Sequence, residues 1–236
     1  MLETTTDKGE HVRLLDVDPG FREAVPAEDA KVAGKHLVAS CMTLERGAWN
    51  GDQLEGSSWV GLLIFEGLIS RDVEIAETRS RELLGPGDIL RPWDDESQLS
   101  PVSSEVTWTV HEPAKVAVLD RRFALLAGRW PDLGSELLSR VLRRSRWLAV
   151  LLAIAGLRGV EERIMLFLWH LAGSWGRVLP EGTLVPFLLT HEVIADVIGA
   201  RRPSVTTAIS VLQEKGALRR LDEGWLLLAP PPESGA

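Results

Sequence analysis

Tyrosine is absent from this 236-residue chain, and cysteine occurs once, as Cys41. A single thiol excludes an internal disulfide, a four-cysteine zinc site and a cysteine-ligated iron–sulfur cluster. Long apolar runs are also missing. The closest, Trp147–Leu157, holds eleven uncharged residues, short of the ~18 of a membrane helix. The N-terminal MLETTTDKGEHVRLLD lacks the basic-then-apolar order of a secretion signal. A cytoplasmic location with no membrane partner is the expectation. Catalytic signatures are wanting as well: there is no G-x-S-x-G, H-E-x-x-H or phosphate loop, and the histidines are scattered. Asp94-Asp95-Glu96 reads as a solvated loop. Neither an enzyme nor a metal site is expected.

Basic charge is not in excess: 26 Lys/Arg stand against 34 Asp/Glu, net −8. The distribution is uneven. Residues 1–131 carry 14 basic and 23 acidic side chains, residues 132–156 carry 4 and 2, and residues 157–236 carry 8 and 9. The acidic first half is a poor nucleic-acid surface, and the remainder meets phosphate only where its arginines cluster. What is present is an ordinary globular balance, 45% hydrophobic and 25% charged, which excludes a mainly disordered chain.

Along the chain, residues 1–34 are polar and weakly patterned and read as a mobile arm with one short helix. Residues 35–131 have an all-β texture: WVGLLIF (Trp59–Phe65), GLI (Gly67–Ile69) and KVAVLD (Lys115–Asp120) are apolar runs. They are separated by turn signals at Gly51-Asp52, Gly56-Ser57-Ser58 and Gly85-Pro86-Gly87-Asp88. Residues 132–156 read as one helix of roughly 36 Å, with Pro131 in its first turn. One row, Leu137, Val141, Arg144, Leu148, Leu151 and Ala155, repeats at helical spacing. A second row, Leu138, Leu142, Ser145, Ala149 and Leu152, runs beside it. Two adjoining rows suffice to cover the parent domain and to meet a second helix; a single helix lying on its own β domain is the alternative. Arg140, Arg143, Arg144 and Arg146 interrupt the rows. Gly156 and Gly159 mark a hinge, and a further helix and a small β pair turning at Pro180-Glu181-Gly182 precede the most informative stretch. The tail, residues 231–236, is expected to be disordered.

That stretch is LTHEVIADVIGARRPSVTTAISVLQEKGALRRLDEGWLLL (Leu189–Leu228). Thr190 is a good N-cap for a short amphipathic helix carrying Val193, Ile194, Val197 and Ile198. Gly199 supplies the left-handed residue that ends it. Ala200-Arg201-Arg202 makes the corner, Pro203 opens a second helix, and Val205, Ile209 and Leu212 mark its buried side. Two strands follow, joined at Asp222-Glu223-Gly224. This is a winged helix-turn-helix. The second helix of such a unit fits the major groove, and here its entrance carries Arg201, Arg202, Ser204, Thr206 and Thr207. Arginine reads guanine through paired hydrogen bonds, while hydroxyls and helix-end amides hold phosphates. Arg219 and Arg220 extend the cationic edge. A winged domain used for protein contacts, without DNA binding, is the competing reading.

The order of parts resembles the Crp/Fnr superfamily of bacterial transcription regulators, over about residues 35–230. LTHEVIADVIGARRPSVTTAISVLQEKGAL matches the family pattern at Thr190, Ile194, Ala195, Gly199, Arg202, Val205, Ile209, Leu212, Gly216 and Leu218; GLLIFEGLI and LLGPGDIL resemble its β domain. The resemblance implies an α+β fold: a cyclic-nucleotide-binding-like β-roll, a long dimerisation helix and a C-terminal winged helix-turn-helix. It implies a homodimer on a two-fold symmetric operator of double-stranded DNA, with RNA polymerase as a further partner and a sensory β-roll. Thr190 and His191 fall at the cap, and His191 replaces the family's arginine there as a phosphate contact. Pro203 and Thr207 depart from the family's recognition residues, so of the base contacts only Arg202 transfers by identity.

The sensor departs further. Arg91-Pro92-Trp93 stands where a cyclic-nucleotide pocket needs a Gly-Glu turn, and Ser103-Ser104-Glu105 where it needs an arginine. Cyclic AMP is therefore not the expected effector. Trp93, Arg91 and Trp108 are the candidate effector-pocket residues, with core packing of the tryptophans as the alternative. Haem stays open through His36, His111 or Cys41 as axial ligands, and Cys41 also as a lone redox thiol. An effector-independent regulator is the remaining alternative.

Overall fold

The computed structural model describes residues 10–51, 54, 59–94 and 102–232. Asp52, the Gly56-Ser57-Ser58 turn, Asp95-Glu96 and residues 233–236 of the tail lie outside the described residues. Contacts divide the chain into two compact units, residues 1–78 with 83–145 and residues 79–82 with 146–236, so the division falls inside the long helix. Among the described residues, no helix is long and apolar enough to cross a membrane.

The first unit runs β1 (His11–Arg13), α1 (Leu14–Val17), α2 (Pro19–Glu23), α3 (Ala30–His36), β2 (Val38–Leu44), β3 (Gly47–Trp49), β4 (Gly61–Ile75), β5 (Thr78–Leu84), β6 (Ile89–Leu90), β7 (Glu105–Leu119) and α4 (Arg121–Ala127), then enters α5 (Pro131–Ala155). Its antiparallel sheet follows the path β1-β2-β7-β4-β5, with β3 on β7 and β6 on β4. The runs WVGLLIF and GLI, expected as separate, belong largely to the single 15-residue strand β4. That strand pairs with β7 through three register shifts between Ile64 and Ile69. Gly67 sits there at φ 89°, and a Cβ on it would lie 2.3 Å from the Pro113 carbonyl oxygen. Pro113 contributes no ladder N–H. Glycine and proline therefore bend the two long strands together, which is what rolls the sheet.

Residues 10–36 do not form the expected mobile arm. Asp18 caps α2 by accepting from the Phe21 amide at 2.8 Å. Leu14, Leu15, Phe21, Val25 and Ala33 are buried in one cluster with Phe123, Trp130 and Leu133. The apolar residues are few and irregularly spaced because these helices are only four to seven residues long, too short for a helical period to show.

Helix α5 is held to this unit by ion pairs. The Arg140 guanidinium donates to the Asp18 carboxylate at 2.5 and 2.8 Å, to Glu136 at 2.8 Å and to the Gly87 carbonyl at 2.9 Å. It also lies 4.5 Å from the centre of the Phe21 ring. Burial opposes its charge, yet the Asp18 and Glu136 carboxylates more than offset this and raise its pKa. One turn on, Arg144 donates to the Leu83 carbonyl at 2.7 Å and faces Asp88 at 3.7 Å. The mid-helix arginines thus interrupt the apolar rows because they are spent on the β domain. On the other side of α5, Leu138, Val141, Leu142, Leu148 and Leu152 remain exposed.

The second unit contains the end of α5, then α6 (Val160–Trp175), β8 (Arg177–Leu179), β9 (Gly182–Val185), α7 (His191–Ile198), α8 (Arg202–Glu214), β10 (Leu218–Leu221) and β11 (Gly224–Leu227). Its sheet has the order β10-β11-β9-β8. Ile164, Phe167, Leu168, Leu171, Ile194, Val205, Ile209 and Trp225 are buried in it. The fold is therefore α+β: an N-terminal antiparallel β domain, a long helix and a C-terminal helix-turn-helix with a small sheet.

Removing one partner of a buried ion pair leaves the other uncompensated and costs about 3–5 kcal/mol. Arg140→Ala is expected to destabilise the first unit by that amount in urea unfolding followed by tryptophan fluorescence. Pairing it with Asp18→Ala should cost less than the two single changes summed.

Candidate nucleic-acid interface

The interface begins with a capped helix. The Thr190 hydroxyl accepts from the Val193 amide at 3.2 Å and fixes the start of α7. Gly199, at φ 62° and ψ 42°, ends that helix in the left-handed conformation. A side chain there would meet no close neighbour, Ala155 Cβ being 3.9 Å away, so glycine is required for its backbone and not for space. Arg163, reaching across from α6, donates to the Ile198 and Gly199 carbonyls at 3.3 and 3.2 Å. These are carbonyls that a helix end leaves without an intrahelical partner.

After the turn, Arg201 occupies the N-cap of α8 in extended conformation, and Pro203 lies in the first turn. Val205, Ala208, Ile209 and Leu212 face inward. The opposite stripe, Arg202, Ser204, Thr206 and Thr207, is exposed, as is Arg201. The Thr206 hydroxyl donates to the Arg202 carbonyl and that of Thr207 to the Pro203 carbonyl, both at 3.1 Å. With their protons satisfied on the helix backbone, these threonines offer methyl groups and oxygen lone pairs outward. That set complements a thymine methyl or an amino group of adenine or cytosine.

His191 bridges the two helices. Its Nδ1 lies 3.0 Å from Thr206 Oγ1. Because that hydroxyl already donates to Arg202, its oxygen accepts, which places the ring proton on Nδ1 and leaves Nε2 open. The ring lies 6.2 Å from that of Trp225, whose indole N–H donates to the Leu189 carbonyl at 3.2 Å. Burial, then the cations Arg220 and Arg202, push the His191 pKa down. Arg220 stands 5.5 Å over the Trp225 ring from the neighbouring strand.

All seven expected interface residues, Thr190, His191, Arg201, Arg202, Ser204, Thr206 and Thr207, thus lie together along the start of α7, the corner and the outer stripe of α8. Thr190 is occupied as a cap. Arg220 was read only as part of a cationic edge; its place against Trp225 and His191 follows from the β10–β11 register, Arg220 opposite Trp225. Arg163 was missed, and no local spacing signals a carbonyl cap made from a different helix.

The three expected effector residues are placed differently. Trp108 is buried in the β-domain core, edge-on to Trp49 at 6.1 Å. Arg91 donates to Asp94 at 2.7 and 3.0 Å and to the Trp59 carbonyl at 3.2 Å. Trp93 packs edge-on against Trp59 at 5.4 Å, with Arg91 5.9 Å from its ring. Of the residues considered for haem, Cys41 is buried, His111 Nε2 lies 2.8 Å from the Ser70 hydroxyl, and His36 ends α3.

The Crp-like helix-turn-helix domain matches residues 162–231 by sequence, the segment that carries this turn and stripe. Residues 162–231 are thus a Crp-like helix-turn-helix domain. Its fold is shared, over most of the length, by solved structures of low identity. A cyclic nucleotide-binding domain containing protein from Listeria monocytogenes EGD-e is 18% identical, with 88% of this chain and 94% of that one covered at a TM-score of 0.62. FixK2 from Bradyrhizobium japonicum is 17% identical, with 83% and 94% covered at 0.61. A mutant of CooA from Carboxydothermus hydrogenoformans is 18% identical, with 80% and 82% covered at 0.57. No curated protein matches the sequence. The chain thus carries, in its C-terminal unit, a helix-turn-helix of the kind found in Crp-type regulators.

A histidine whose folded pKa is depressed is destabilising wherever the unfolded chain binds the proton more readily. The neutral ring's contribution is fully present above about pH 6.5, the unfolded value, and is lost as pH falls through the lower folded value. His191→Gln should therefore narrow the loss of thermal stability between pH 7.5 and 5, in melting curves compared with the parent chain.

Proposed function

We propose that this regulator binds a two-fold symmetric operator as a homodimer and reads it with the outer stripe of α8. The observation that carries the reading is the exposed row of Arg202, Ser204, Thr206 and Thr207 at the start of a helix whose angle is set by a capped, glycine-closed turn. Arg202 is the base-reading residue, bidentate to a guanine. Arg201 and Thr190 face the flanking phosphates, with Ser204, Thr206 and Thr207 completing the contact; His191, its ring proton given to Thr206, holds that threonine in place. The wing arginines Arg219 and Arg220 add phosphate attraction.

The working division is a β domain over residues 35–131, joined by the helices of residues 10–34, then a dimerisation helix at 132–156 and a DNA-binding domain at 157–230. Two subunits would meet along Leu138, Val141, Leu142, Leu148 and Leu152 of α5. Those positions repeat at coiled-coil spacing, and water gains nothing from them. The β domain is read as the sensor of a small molecule other than cyclic AMP. Support for excluding the family's usual ligand turn is that Arg91 is closed on Asp94 and Trp108 fills the core. A cytoplasmic location and contact with RNA polymerase rest on the family resemblance alone.

Arg202→Ala should weaken operator binding by about 1–3 kcal/mol and relax selectivity at one base pair per half-site, measured on duplexes selected from random DNA. Equal losses on operator and random duplexes would instead make Arg202 a phosphate contact. Leu142→Glu with Leu152→Glu should convert a dimer to a folded monomer in sedimentation velocity and abolish operator binding at nanomolar protein; a persisting dimer would reject the α5 seam.

A further inference from the structure

Thr206 and Thr207 are neighbours on the outer stripe of α8, yet their hydroxyl groups differ in the fold. Each donates its proton to the carbonyl four residues back, Thr206 to Arg202 and Thr207 to Pro203, at 3.1 Å. The Thr206 oxygen also accepts a second bond, from His191 Nδ1 at 3.0 Å. Thr207 has no such second bond among the described residues. A hydroxyl has one proton and two lone pairs. Thr206 has thus spent its proton and one lone pair, and its methyl is the group it has most to offer a neighbour.

The donor to Thr206 is itself held. His191 is the first residue of α7, directly after the Thr190 cap. Its ring is half-buried and lies 6.2 Å from that of Trp225. Trp225 is buried, and its indole N–H is fixed on the Leu189 carbonyl at 3.2 Å. Nδ1 is therefore presented to α8 at a set place. A threonine inside a helix divides between two χ1 rotamers, because in either the hydroxyl reaches a carbonyl of the preceding turn. The two differ in where the methyl points, and a donor arriving from α7 stabilises one of them. Burial, with Arg220 and Arg202, lowers the His191 pKa. The ring is then neutral near neutral pH, and its one proton goes to Thr206.

We infer that His191 is a positioning residue for base reading: it fixes Thr206 so that the threonine methyl meets the 5-methyl group of a thymine in the major groove. This rests on the reading of α8 as the helix that contacts DNA, and it names what one residue of the stripe recognises. Thymine is the base that presents a methyl group there, and a threonine methyl is a fitting apolar partner for it. Arg202 and Thr206 are four residues apart and share one face of the helix. The thymine therefore lies close to the guanine assigned to Arg202. Serine at position 206 would keep both hydrogen bonds and lose the methyl group alone.

The test uses duplexes selected from random DNA by the full chain. They should carry thymine at one position of each half-site near the guanine. Deoxyuridine at that position lacks only the methyl group and should weaken binding by about fourfold per half-site, the worth of one buried methyl, in fluorescence anisotropy. Thr206→Ser should bind the thymine and uracil duplexes equally. His191→Phe keeps an aromatic ring without the donor and should abolish most of the discrimination. His191→Asn, whose amide N–H can take the place of Nδ1, should restore it. Thr206 is exposed, so its serine variant keeps the test valid if His191→Phe fails to fold. A bound operator that tolerates uracil at every thymine would overturn the inference. So would discrimination unchanged in Thr206→Ser or in a folded His191→Phe. Those results would leave DNA reading by α8 standing, whereas failure to select any duplex would reject that reading and this inference with it.

Discussion

A guanidinium with little access to water fixes the course of the long helix. Arg140 reaches Asp18, Glu136 and the Gly87 carbonyl at once, and so joins α5 to the N-terminal helices and to the β5–β6 turn. The partners come from three separated parts of the chain. Hydrophobic contact alone would let α5 slide or rotate on the β domain, since leucine rows are forgiving of register. A charge that must be paired is not forgiving, because any shift leaves Asp18 buried without its cation. The orientation follows from that constraint. With Arg140 turned inward, the row of Leu138, Leu142 and Leu152 has to face away from the domain.

Legibility in the sequence tracked the range of the interactions. The turn between α7 and α8 was readable because its determinants are local: a threonine cap, a left-handed glycine, a proline in the first turn and a four-residue inward repeat. The same holds for α5, whose 25 residues give the period room to show. The N-terminal helices were misread as an arm because each is shorter than two turns and its burial is set by distant partners such as Phe123 and Trp130. The runs WVGLLIF and GLI, interrupted by the charged Glu66, belong largely to the single strand β4, with Gly67 inside it. In the fold it marks a bend within one strand, because the Pro113 backbone lies against it. Arg163 belongs to the same class: a carbonyl cap from a different helix leaves no trace in local spacing.

The tryptophans show the same division inside the β domain. Their number without tyrosine suggested a ligand surface or a packed interior, and spacing could not separate these. The structure does so residue by residue. Trp49 and Trp108 are interior, edge-on to each other. Trp59 and Trp93 pack against that core from its margin, and Trp59 also lines a cavity. Arg91, at the position considered for a ligand turn, is paired with Asp94.

Net charge is the remaining apparent obstacle to a DNA-binding role, since the chain carries −8. The structure removes the difficulty by showing where the cations are spent. Arg140 and Arg144 are engaged with the β domain, Arg163 with the end of α7, and Lys115 with Glu66. Arg201, Arg202, Arg219 and Arg220 are exposed and lie on the corner and the wing of one small unit. Screening limits the reach of exposed charge to about 8–10 Å at physiological salt. Acidic residues on the β domain farther away than that scarcely diminish the attraction between this corner and a phosphate. What governs binding is the charge within a screening length of the duplex. Burial first, and then the cations Arg220 and Arg202, lower the His191 pKa, so two arginines of the corner and the wing act on the ring at the start of α7.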